Sequence, residues 1–409
     1  MPSRTDKNTA AAHDSGTTKL TDIVKDNKIA LIGDTLDFET LGIYDLQGTT
    51  IKPSSITGAI DTEAVFYHVW AAVKQTLDER VSRRIPNSKL VKASLERFMF
   101  ELGNVIMNRV DGPHFTFIDP RKHNDAASIV RTAQRMVSLF EDKDVCRAKV
   151  VISIPATMEG LRAAQVLESE HGIHTNLYLV SGLLHAAACG EAGATTITIP
   201  VGRLLNWYEV NRKATYQDLS AHPGVETIQS TLEYFKLHGI KSKLVGSEFR
   251  SLSEIGPLSG FDAICVSKDQ ADGLRGCQFS TSTLVPSSSA RLRARQAQYP
   301  TALLSTRTGF MEAMSAKTRG MVTATLFVPL GEMKAHMDGL EEIVAREVAR
   351  QFELTTLDLR TLYGLSPKSH KSRKTLANRE HSQLRSKRSL SSDLGLEETC
   401  LKQDIDDVF

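Results

Sequence analysis

The chain alternates short, nearly continuous apolar runs with longer stretches whose apolar residues recur every three to four positions. The runs are KIALIGDT (28–35), GTTI (48–51), GNVIMNRV (103–110), KVVISIPA (149–156), TNLYLVSG (175–182), TTITIP (195–200), SKLVGSEF (242–249) and DAICVSK (262–268). Most are dense in Val, Ile and Leu, as expected of strands covered on both faces in a parallel sheet. Stretches between them, such as 91–102 and 184–193, carry helical spacing. Eight such strand–helix units predict an α/β chain closed into a (β/α)8 TIM barrel. A last helix is expected over roughly 337–362. Met337, Leu340, Ile343, Val344, Val348 and Phe352 would form the face that packs back on the barrel. The barrel domain is read as residues 26–363.

Outside that domain the pattern fades. Residues 1–25 are polar and are expected to be flexible. Residues 270–330 are less regular, and STSTLVPSSSARLRARQAQYP reads as a long Ser-rich loop. Residues 364–409 begin strongly basic and turn acidic from Asp393. Such a charge run reads as a disordered, solvated tail. The sharper alternative is a segment that docks a partner or directs the chain to the nucleus.

Composition narrows the classes. With 409 residues and 41% hydrophobic content, a large core can be buried. Lys+Arg 50 against Asp+Glu 48 leaves +2, so charge demands neither nucleic acid nor an anionic membrane. Cys146, Cys189, Cys265, Cys277 and Cys400 lack metal-ligand spacing, which suggests reduced thiols in a cytoplasmic protein without metal or organic cofactor. The first residues lack the apolar core of a secretion signal. Eighteen consecutive apolar residues, the signature of a membrane span, do not occur.

The candidate chemistry sits at the ends of the apolar runs, where barrel enzymes place their reactive groups. RAKVVISIPATMEGLRAAQVLE (147–168) is a strand feeding a helix, with Ser153 near the strand's end. ALIGDTLDF (30–38) presents Asp34, and GTTIKPSSI (48–56) presents Lys52. NVIMNRVD ends in Arg109, Val110 and Asp111. TNLYLVSGLLHAAACGEAG carries Asn176 and Tyr178, ITIPVGRLLNWYE carries Thr198 and Arg203, and VGSEFRSLSEI carries Glu248 and Arg250.

In this order, these motifs resemble the transaldolase family of class I aldolases over roughly 28–268 and, weakly, in the terminal helix. The resemblance implies a lysine forming an imine with a ketose substrate where this chain has Ser153. It implies a proton-transferring aspartate at Asp34 and an asparagine at Lys52. A catalytic glutamate before Val-Asp would be replaced by Arg109, and a water-orienting threonine by Tyr178. Asn176 is kept, Thr198 stands for a serine, Arg203 and Arg250 match phosphate-binding arginines, and Glu248 replaces a serine. Family relatives are often dimers, so a homodimer is a further expectation.

A serine hydroxyl cannot condense with a ketone, so ordinary transaldolase turnover is expected to be absent or very weak. Lys52 is the candidate relocated nucleophile or base, its pKa lowered if Arg109 lies beside it. The alternative is a structural ion pair with Asp34. Lys268 is a second, weaker candidate, and His185 reads as packing. Arg203 and Arg250 form either an anion clamp or, with Glu248, an internal bridge. Two functional readings follow. One is a barrel enzyme with a rewritten site acting on a carbonyl or anionic small molecule. The other is a catalytically silent relative with a binding or regulatory role.

Overall fold

The computed structural model describes residues 17–363, apart from 27, 40, 259, 275, 277, 281–285 and 306–308. The tail expected over 364–409 and the first sixteen residues of the N-terminal stretch lie outside the described residues. Thr17–Lys19 (β1) and Leu20–Asp26 (α1) are regular, which corrects the expectation of a loose segment up to residue 25. β1 pairs antiparallel with β10, Gln278–Ser280.

The barrel strands are β2 (Ala30–Gly33), β3 (Gly48–Thr50), β4 (His114–Phe117), β5 (Val150–Pro155), β6 (Thr175–Tyr178), β7 (Thr196–Pro200), β8 (Lys243–Ser247) and β9 (Ala263–Val266). They close in sequence order, every described pair parallel, with β9 returning to β2. Between them run helices α2 (Pro53–Ala59), α3 (Glu63–Glu79), α4 (Leu90–Met107), α5 (Ala126–Glu141), α6 (Met158–His171), α7 (Leu183–Glu191), α8 (Val201–Arg212) and α9 (Pro223–His238). After β9 come α10 (Lys268–Leu274), α11 (Ser288–Gln296) and α12 (Ala316–Tyr363). The Ser-rich stretch expected to be loop therefore contains a helix. α11 starts under an N-cap in which Ser287 accepts from Ala290 N–H. The last helix begins some twenty residues earlier than its apolar face suggested.

One strand was misplaced by the pattern. Residues 103–107 end α4, and Arg109 N–H donates to Ile106 O in the turn that closes the helix. Leu95, Phe98, Met99, Leu102 and Ile106 continue the helical spacing through the run read as a strand, and all are buried. The third barrel strand is instead HFTF, paired with β5 from His114↔Val150 to Phe117↔Ser153.

The pleat's period of two sorts the strand side chains by height. Ala30, Ile32, Phe115, Val151, Val245 and Ala263 form a closed apolar plug inside the barrel. Two residues further along several of these strands stand Asp34, Phe117, Ser153, Ser247 and Cys265. The interior thus changes from apolar to polar at the C-terminal ends of the strands. Cys146 is disulfide-bonded, which corrects for that residue the expectation of reduced thiols, while Cys189 and Cys265 are free. Among the described residues no helix is long and apolar enough to cross a membrane.

Candidate functional site

The polar layer opens into a cavity of about 640 Å³, its mouth included. Strand ends supply Asp34, Thr50, Lys52, Phe117, Ser153, Asn176, Tyr178, Thr198, Ser247, Glu248 and Cys265. Met333 of α12 covers the opening. α12 crosses this end of the barrel because Leu326, Leu330 and Met333 pack on Tyr178 and Leu179. Polar contacts latch it there. Lys334 Nζ donates to His123 Nε2 (2.7 Å), and His336 Nδ1 lies 2.8 Å from Thr57 Oγ1.

Among the described residues Lys52 is the lysine that lines the cavity, and it is engaged. Its Nζ stands 2.6 Å from Asp34 Oδ2. Asp34 Oδ1 accepts from Ser55 Oγ at 2.8 Å. The sequence places all three partners: Asp34 directly follows β2, Lys52 is the N-cap residue of α2, and Ser55 lies in that helix's first turn behind Pro53. Burial works to lower the Lys52 pKa, but Asp34 and Glu248 outweigh it and hold it above the ordinary value. The expectation of a depressed pKa is therefore corrected. Arg109, which was to depress it, is exposed and lies outside the cavity, donating to Val105 O with its guanidinium over the Phe38 ring.

Ser153 faces the cavity within a chain of neutral groups. Asn176 Nδ2 donates to Ser153 Oγ (3.1 Å), and Thr198 Oγ1 donates to Asn176 Oδ1 (2.7 Å). Ser153 and Asn176 are register partners on β5 and β6, and Thr198 stands on β7 two residues beyond Thr196, the register partner of Asn176. Tyr178 is buried under α12, and its hydroxyl has no hydrogen-bond partner among the described residues. Burial first, and the charge of Asp119 after it, push that phenol well above its usual range, so it is neutral. Burial likewise pushes the Cys265 thiol up to about 12, which leaves no thiolate at neutral pH.

The two arginines expected to clamp an anion do not line the cavity. Arg203 Nε donates to Glu248 Oε2 at 2.5 Å and Nη2 reaches Glu332 Oε2 at 2.9 Å. Arg250 donates from Nε to Glu254 (2.5 Å) and from Nη1 to Glu209 (2.9 Å) and Asn206 (2.7 Å). The open-clamp expectation is corrected to internal bridges. Lys268 pairs with Asp37 at 2.8 Å. His185 is buried, donating from Nε2 to Ala156 O and stacked on Phe310.

Sequence reasoning missed Phe117, Ser55, Ser247 and the two α12 contributors, Glu332 and Met333. Phe117 was within reach, since Phe117-Ile118-Asp119 fits the pattern of a strand end before an aliphatic residue and aspartate. Ser55 was visible three residues after Lys52. Nothing local marks Glu332, which arrives from a helix far along the chain.

A barrel of eight parallel strands with polar groups gathered at their C-terminal ends defines a TIM-barrel protein with an enzyme-type cavity. Residues 31–305 match the family described as transaldolase/fructose-6-phosphate aldolase, and the chain belongs to that family. It is similar to a transaldolase of Kluyveromyces lactis, 33% identical over 250 residues, covering 60% of this chain and 72% of the relative. A probable transaldolase of Drosophila melanogaster is 32% identical over 263 residues, covering 64% and 78%. The transaldolase of Saccharomyces cerevisiae is 32% identical over 257 residues, covering 61% and 73%.

Proposed function

We propose that this chain is a transaldolase-family barrel that binds a small hydroxylated or carbonyl compound at the strand ends without the family's imine chemistry. Ser153 stands on the fourth barrel strand where the family resemblance calls for the imine lysine. Phe117, before Ile118 and Asp119, stands where it calls for a glutamate. One observation carries the reading: the amine that lines the cavity, Lys52 Nζ, is held 2.6 Å from Asp34 with its pKa raised. An amine attacks a carbonyl only as the free base. A protonated lysine paired with a carboxylate lacks the lone pair the attack requires. The expected setting is the cytoplasm, with a homodimer and a docking role for residues 364–409 as further parts of the proposal.

A second reading has its own support. The Asp34–Lys52 pair borders an open cavity, so it could relay a proton to a bound carbonyl compound by acid–base catalysis without a covalent step.

Borohydride reduction in the presence of dihydroxyacetone, read by intact mass, tests the first reading. The wild-type chain is expected to show no adduct, and Ser153→Lys is expected to gain one. An adduct on wild-type Lys52, or turnover at ordinary enzyme rates in the coupled transaldolase assay, overturns it. Proton exchange of a bound ketone that is lost in Lys52→Met would favour the second reading.

A further inference from the structure

We infer that Glu248 and Glu332 are built-in occupants of an oxyanion site centred on Arg203, and that they restrict the cavity to ligands carrying no phosphate. A guanidinium presents a planar fork of donors that fits carboxylate or phosphate oxygens. On Arg203 this fork is taken by two carboxylates from different parts of the chain. Glu248 comes from the end of β8, and Glu332 comes from α12 over the mouth.

The backbone holds Glu248 in place. Its φ is +53°, a left-handed conformation that disfavours a residue with a Cβ. Its carbonyl oxygen accepts from Gly202 N–H at 3.1 Å, at the start of α8. Only glycine permits that approach, since a Cβ on residue 202 would lie 2.4 Å from the same oxygen. The carboxylate is therefore fixed at the cavity wall, and its partner is the same guanidinium an anionic ligand would need.

The second guanidinium offers no substitute. Arg250 is engaged by Glu254 and Glu209. Beside the cavity, two guanidiniums thus face four carboxylates. A phosphate would have to displace one carboxylate and then lie against the others, whose like charge repels it. Apart from the paired Asp34 and Lys52, the remaining polar wall, including Thr50, Ser153, Asn176, Thr198 and Ser247, is uncharged and suits hydroxyl or carbonyl oxygens. This inference rests on reading the cavity as a ligand site and deepens it by naming the excluded class.

Calorimetric titration with inorganic phosphate tests it on the full chain. The wild type is expected to show no saturable uptake. Glu248→Gln with Glu332→Gln is expected to bind phosphate at least about tenfold more tightly than the wild type, with salt-sensitive affinity. Adding Arg203→Met is expected to abolish that gain. Glu332 is half exposed, so Glu332→Gln alone serves if the pair of changes disturbs folding, and a smaller gain is expected from it. Phosphate uptake by the wild type that disappears in Arg203→Met overturns the inference, as does a folded Glu332→Gln variant that gains nothing. Borohydride trapping with an unphosphorylated ketone uses no phosphate, so failure of the imine-free reading would be seen separately.

Discussion

At the scale of the residue, the Asp34–Lys52 pair decides what the cavity can do. Asp34 is the more buried partner, with 11% of its side chain exposed against 31% for Lys52. Removing Lys52 leaves a carboxylate with Ser55 as its neutral donor. Lys52→Met is therefore expected to lose about 1–3 kcal/mol in chemical denaturation, at the low end for breaking a buried pair because the lysine reaches solvent. The pH dependence has a definite sign. A lysine pKa raised in the fold contributes stability that is complete below the unfolded value of 10.5 and is lost as pH climbs through the higher folded value. The stability gap between wild type and Lys52→Met should stay flat from neutral pH to about 10 and close above it. A gap that instead widens as pH rises from about 7 to about 10 would mean that Lys52 titrates low in the fold, as a nucleophile does. The sequence already offered this pair as the alternative to a relocated nucleophile. Choosing between them took the distance and the surrounding charges, and neither is written in residue order.

At the scale of the element, strand and helix ends were legible where one period ruled and were lost where two overlapped. The run 149–156 is β-branched and bounded by Pro155, so β5 and Ser153 could be placed from text alone. GNVIMNRV is equally apolar, yet it continues the face begun at Leu95, and the helical period prevailed. β4 escaped notice because His114 and two phenylalanines follow Gly112-Pro113, a pair that reads as a turn. That slip carried Arg109 into a site it does not reach. The junction of β8 and α8 shows how elements fix chemistry. An added methyl at Gly202 would meet Glu248 O at 2.4 Å and Arg250 Cγ at 2.7 Å. Gly202→Ala should lower stability by about 1–3 kcal/mol through overpacking. Gly331→Ala, exposed within α12 with nothing within 4 Å of its Cβ, should raise it by about 0.5–1 kcal/mol through helix propensity. Paired thermal melts check both signs. If both variants moved the same way, the clash at residue 202 would not be what sets its identity.

At the scale of the whole molecule, α12 joins the stability of the barrel to the shape of its cavity. The barrel sequence alone foretold a closed ring with an open mouth, but only half of this helix carried a readable face. Its N-terminal half covers the mouth with Leu326, Leu330 and Met333, while Met337, Leu340, Val344 and Val348 are buried further along it. With Met321 and Val322, these nine buried side chains contribute about 1.5–3 kcal/mol each, or roughly 13–27 kcal/mol before allowance for a compact unfolded chain. Even reduced by a third, that is as large as the net stability of a typical domain, about 5–15 kcal/mol. A chain ending at Ser315 is therefore expected to lose cooperative unfolding and to bind a hydrophobic dye, with far-ultraviolet ellipticity retained and near-ultraviolet signals lost. The polar latches should matter far less. Lys334→Ala removes a contact at the surface of the same helix and should shift stability by under about 1 kcal/mol. If the truncated chain melted cooperatively at the wild-type temperature, α12 would be an appended cover, and the cavity's apolar roof could not be credited with holding the fold together.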